Sequence, residues 1–134
     1  CAAINEKYSE LSVALVAKTQ DNDLQTYLQT QRTLRNYPDV DIFFYAGAGV
    51  HGGIRAICES DRRDQIMVIA YDLYDETRKY LTNGSIISAA LFQDPYNQGY
   101  TAVKIISDYL LHRKPPETKR ICTKIVIAVA ESFP

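Results

Sequence analysis

The chain has 134 residues, near the commonest size for a single domain and enough to bury one hydrophobic core. Its 46% apolar and 23% charged residues are ordinary for a globular protein, and a net charge of −1 with no basic stripe excludes a nucleic-acid surface of its own. No apolar run reaches the roughly 18 residues a membrane span needs, and three cysteines without C-x-x-C spacing argue against a disulfide framework and against a zinc site.

Cys1 could carry a lipid anchor, but a helical, charged stretch follows at once where a polar tether is expected. No signal peptide is read in the chain. Residues 2–8 are helical in pattern. Residues 11–17 (LSVALVA) are short, apolar and valine-containing, so a buried strand is predicted there. Asp21-Asn22-Asp23 offers helix N-caps, and Leu24, Tyr27, Leu28, Gln31 and Leu34 follow at helical spacing as the expected inner face. Pro38 stops that helix.

Residues 41–46 are the second expected strand. Residues 52–60 read as a short helix that turns Ile54, Ile57 and Cys58 inward, which makes Cys58 a core residue. Residues 65–71 (QIMVIAY) are the third strand. Asp75 can cap a helix running through Tyr80 and Leu81, ended by Asn83-Gly84; a left-handed turn is preferred there over a glycosylation sequon. Residues 85–92 (SIISAALF) are the fourth strand. Asp94-Pro95 is an N-cap followed by proline at the first helical position, and the helix carries Val103, Ile106 and Leu110 on one side. Pro115-Pro116 makes a bend within a solvated basic loop, and residues 123–130 are the last strand.

Strands alternating with helices predict βαβ units and a mostly parallel sheet. Such sheets bind ligands beyond the carboxyl ends of their strands. The residues to watch are therefore Lys18-Thr19-Gln20, Gly47-Ala48-Gly49, Asp72-Leu73-Tyr74 and Gln93-Asp94.

Two functions compete there. Gly47-Ala48-Gly49-Val50-His51-Gly52 spells G-x-G-x-x-G, and Asp72 stands twenty residues on, the layout of a dinucleotide fingerprint. Against that reading, a complete βα unit precedes the glycines and nothing downstream resembles a catalytic set. The other function is a non-catalytic binding module. Asp and Gln make paired hydrogen bonds to a sugar, and aromatic rings cover its apolar face. Asp72, Gln93, Tyr74 and Tyr96 supply these groups. Asp72 could equally be a helix cap and Gln93 a surface loop residue.

A further series of residues bears on the choice. Ile69-Ala70-Tyr71-Asp72, Tyr80-Leu81-Thr82-Asn83-Gly84-Ser85-Ile86 and Gln93-Asp94-Pro95-Tyr96-Asn97-Gln98-Gly99-Tyr100-Thr101-Ala102-Val103 resemble the effector-binding domain of lac-repressor-type transcription regulators and their relatives, the periplasmic sugar-binding proteins. The resemblance implies an α/β fold of three layers, a mostly parallel sheet flanked by helices, as in the C-terminal lobe of type I periplasmic-binding-protein-like domains. It implies that Asp72 bonds ligand hydroxyls and that Gln93 lies at the hinge between two lobes. The loop that often carries Asn-Asp in sugar binders reads Ala46-Gly47 here; a glycine-rich version of it would present backbone N–H groups instead, so Gly47 and Ala48 are expected to border the ligand, with Tyr74.

Residues 1–134 are thus expected to form a single C-terminal lobe, with residues 94–114 belonging to the other lobe. The expected function is sugar sensing in a cytoplasmic transcription regulator, without catalysis, cofactor or metal. A sugar-transporter binding component, periplasmic or anchored as a cell-surface lipoprotein, is the alternative, and an NAD-dependent oxidoreductase fragment the second. The expected partner is a small polar ligand of the sugar class, with DNA reached only through an upstream domain and no membrane contact. A homodimer through the helix after Pro95 is also expected.

Overall fold

The computed structural model describes residues 2–82 and 86–133. Cys1 and Asn83-Gly84-Ser85, for which an anchor, a helix end and a strand start are considered above, lie outside the described residues. The elements are α1 (Ala2–Lys7), α2 (Asp23–Asn36), β1 (Ile42–Tyr45), α3 (Val50–Cys58), β2 (Met67–Tyr71), α4 (Asp75–Thr82), β3 (Ile87–Phe92), α5 (Pro95–His112) and β4 (Val126–Ala128). Short 3-10 turns lie at Arg63–Gln65 and Ala130–Ser132.

The described strands form one sheet in the order β1-β2-β3-β4. The first three are parallel, and β4 runs antiparallel at the edge with Phe92 opposite Val126. This is the α/β fold with a mostly parallel sheet expected from the alternation of patterns.

The core lies between the sheet and α3 and α4. Val50, Ile54 and Ile57 repeat at helical spacing on α3 and are buried against Val68, Ala70, Ala90 and Leu81. The other side of the sheet is open: Ile42, Phe44 and Met67 alternate with the inward residues and are exposed. Period-2 alternation thus gives β1 and β2 one dry and one wet face.

Four details depart from the sequence reading. Residues 11–17 form no strand; their backbone finds no ladder partner among the described residues, and Leu11, Val13, Leu15 and Val16 are exposed. Apolar character alone does not hold an extended segment whose N–H and C=O groups lack a neighbouring strand. The inner face of α2 is also different. Thr26, Thr30 and Thr33 are buried, whereas Leu24 and Leu28 are exposed. The threonine side is slim enough for α2 to lie close along α3, and Thr30 shares a hydrogen bond of 3.0 Å with Tyr45 Oη of β1. Leu34 still reaches the core.

Cys58 is exposed. It closes the last turn of α3, one step around the helix from Ile57, and so clears the packed stripe. Finally, only Val126–Ala128 of residues 123–130 pair with the sheet.

The capping signals behave as the residue types require. Asn22 caps α2, its Oδ1 accepting from Gln25 N at 3.0 Å. Asp94 caps α5, accepting from Asn97 N at 3.2 Å, with Pro95 at the first helical position.

Candidate ligand-binding site

In the parallel register Tyr45 lies opposite Ala70, and Tyr71 opposite Leu91. Asp72 N continues the ladder by donating to Leu91 O at 2.8 Å. The three parallel strands therefore end together. Gly47 and Ala48 follow β1, Asp72 and Tyr74 follow β2, and Gln93 follows β3, on strands about 4.8 Å apart. All five predicted site residues are thereby brought to one edge of the sheet, the edge where such folds place their ligands.

Asp72 stands out there. Its φ is 72°, in the left-handed region that non-glycine residues occupy at a cost of order 1 kcal/mol or more. It is exposed, and its carboxylate makes no hydrogen bond among the described residues, so it does not cap α4. Gln93 is half-buried, and its carbonyl accepts from Gln98 Nε2 at 2.9 Å. Tyr74 is exposed at the start of α4, its carbonyl accepting from Arg78 N at 2.9 Å. Tyr96 lies on α5 and is exposed.

Gln98 has a role that residue type and spacing did not reveal. Its Nε2 also donates to Thr123 Oγ1 at 2.9 Å. It therefore ties the segment leaving β3 to the segment returning toward β4, where the chain crosses to and from α5.

The glycine loop is held from the α2 side. Asp21 Oδ1 accepts from Ala48 N at 3.0 Å, and Asp23 Oδ1 accepts from Gly52 N at 3.2 Å. Gly49 has φ 84° and caps α3 without a side chain. A Cβ at Gly52 would overlap the backbone carbonyl of Asp23. The glycines thus let two helix starts sit against each other, and two of the amides a pyrophosphate would use already hold carboxylates. Asp21 and Asp23 were read from sequence only as caps for α2. Two acids flanking an asparagine a few residues beyond an apolar run, upstream of a glycine loop, are the signal that could have exposed this second role.

His51, in the first turn of α3, faces α4, where its Nδ1 lies 2.6 Å from Tyr80 Oη. Burial holds the Tyr80 phenol above its ordinary range, with Cys58, Glu76 and Asp23 adding to the shift. Among the described residues no group of three or more His, Cys, Asp or Glu side chains could hold a metal ion. No helix there is long and apolar enough to cross a membrane.

The periplasmic binding protein domain family matches residues 2–114. The chain belongs to this family. Among solved structures, it is similar to a solute-binding protein of an ABC transporter from Agrobacterium vitis with bound D-fucose (20% identity, TM-score 0.87, covering 98% of this chain and 45% of that one). A glucose-galactose binding protein from Geobacillus stearothermophilus gives 21% identity and a TM-score of 0.86, covering 96% and 45%. A periplasmic ribose ABC transporter protein from Conexibacter woesei gives 28% identity and a TM-score of 0.68, covering 84% and 38%. No curated protein matches the chain significantly. The chain spans less than half the length of these structures.

Proposed function

We propose that the chain is the C-terminal lobe of a two-lobe, non-catalytic sugar-binding protein, and that the carboxyl edge of β1, β2 and β3 forms its half of the cleft. The observation that carries this is Asp72: a residue with a left-handed backbone at a strand end, whose carboxylate has no hydrogen bond among the described residues, beside the half-buried Gln93. Backbone strain of this kind is stored where function needs it. Asp72 and Gln93 then bond ligand hydroxyls, the backbone of Gly47 and Ala48 borders the ligand, and Tyr74 covers an apolar face. The sugar-binding proteins among the similar structures support the ligand class and put a transporter's solute-binding component ahead of a lac-repressor-type regulator. A location outside the cytoplasm goes with that assignment. DNA would enter only through a domain that this chain does not contain.

The reading extends to α5. In a two-lobe body residues 94–114 pack within the other lobe, and Gln98 marks the crossing point. When this chain stands alone, the same apolar face can join a second copy as a homodimer.

Calorimetric titration with a panel of pentoses and hexoses tests the assignment. Asp72→Ala is expected to weaken binding by about 1–3 kcal/mol while leaving the melting temperature unchanged. Unchanged affinity with a lowered melting temperature would make Asp72 a residue of the fold instead.

A further inference from the structure

We infer that Asp21 is a specificity-determining residue that closes this edge to anionic ligands and leaves it open to unphosphorylated polyols. The polyol half of the inference rests on the sugar-binding reading above; the exclusion of anions does not.

A glycine loop that opens a helix is ordinarily a ready anion site, because its amides are unpaired and the helix dipole favours negative charge. Here the site is filled from within. The Asp21 carboxylate takes the Ala48 amide and the Asp23 carboxylate takes the Gly52 amide, at 3.0 and 3.2 Å. Both acids come from the start of α2, so the positive ends of α2 and α3 share them. Neither carboxylate is a chance visitor. Asp21 sits at φ 54°, in a turn fixed by Asn22 N donating to Thr19 O at 3.1 Å, and a Cβ at Gly47 would collide with its Oδ1. The turn is strained, and the strain delivers a carboxylate to a loop amide. Asp23 is set by the close approach of its backbone to Gly52.

A phosphate arriving at this loop would have to displace a tethered carboxylate and face like charge from its neighbours. Asp72, just past the end of the neighbouring strand β2, adds to that repulsion. A sugar hydroxyl meets the opposite situation, since an ionised carboxylate only accepts hydrogen bonds and a hydroxyl can donate one. The loop therefore keeps the dinucleotide spelling while its own acids occupy the dinucleotide's place.

The test uses the full chain, ¹⁵N-labelled, titrated with inorganic phosphate at constant ionic strength while the amides of Ala48 and Gly52 are followed. The wild type is expected to show no saturable movement at either. Asp21→Gly removes the carboxylate at a φ that glycine prefers, so the fold should be kept. The Ala48 amide of that variant should then move saturably, with apparent affinity at least about tenfold above any wild-type response. Saturable phosphate binding at Ala48 and Gly52 in the wild type would overturn the inference, whatever the variant does. So would a folded Asp21→Gly whose Ala48 amide stays still. No sugar is present, so failure here is separate from failure of the sugar-binding reading.

Discussion

Helices α3 and α5 both begin just beyond a strand's carboxyl end, and both carry an apolar side. α3 buries Val50, Ile54, Ala56 and Ile57, while α5 buries nothing: Val103, Ile106 and Leu110 are 68%, 59% and 62% exposed. α3 lies against α2 and α4, whereas α5 makes no extensive contact with any described element. An apolar stripe specifies what a helix can bury, but the burial itself needs a partner surface. For α3 that surface is the sheet. For α5 none is present among the described residues, and the open side of β1 and β2, with the unpaired residues 11–17, tells the same story.

Truncating each helix at its apolar stripe should give the largest effect. Ile57→Ala should cost this chain about 2–5 kcal/mol, the loss for a buried isoleucine that leaves a cavity. Ile106→Ala should change its stability by no more than about 0.5 kcal/mol. Denaturant unfolding of both variants measures the gap. Equal losses would mean that α5 is packed in solution. Light scattering over a concentration series sharpens the point: if a second copy covers α5, Ile106→Asp should shift the chain toward the monomer.

The packed half also has a pH signature. Burial pushes the Tyr45 phenol up to about 12, and the hydrogen bond with Thr30 pulls weakly the other way. The neutral phenol is therefore favoured in the fold. Its stabilisation is complete below the unfolded value near 10 and is lost as pH rises from 10 toward 12. Two units correspond to about 2–3 kcal/mol. Tyr45→Phe should lack this loss, so the stability difference between wild type and variant should tilt toward the variant across that window. A parallel pair of curves would deny the burial of Tyr45.

Much of this contrast was legible in the residues. The alternation of patterns located β1, β2, β3, α3 and α5, and Asp94-Pro95 marked the start of α5 because an N-cap and a proline each satisfy a helix terminus in a known way. Strand ends then indicated where Asp72 and Gln93 would stand. What was not legible depended on partners. Residues 11–17 look like a strand, yet no residue type encodes whether a neighbouring strand exists. The face of α2 was misjudged because leucines outrank threonines in hydrophobicity, while close helix approach favoured the slimmer side. The acids at Asp21 and Asp23 were read locally, and their bonds to Ala48 and Gly52 span 27 and 29 residues.

A smaller effect probes the wall of the packed half. Thr77 is buried on α4, and its Oγ1 has no hydrogen-bond partner among the described residues. Thr77→Val keeps the shape and removes an unsatisfied polar atom, so it should leave stability unchanged or raise it slightly. A loss above about 1 kcal/mol by thermal unfolding would reveal a partner for that hydroxyl.

In the proposed reading, the carboxyl edge of the sheet receives a sugar while α5 takes no part in that lobe's core. It is tested most directly by titrating the ¹⁵N-labelled chain with D-galactose, arabinose and ribose and following every resolved amide. For at least one sugar, saturable shifts are expected, centred on Gly47, Ala48, Asp72 and Gln93, with residues 103–111 of α5 silent. Saturable shifts centred anywhere else, or no saturable shift with any sugar, would contradict it.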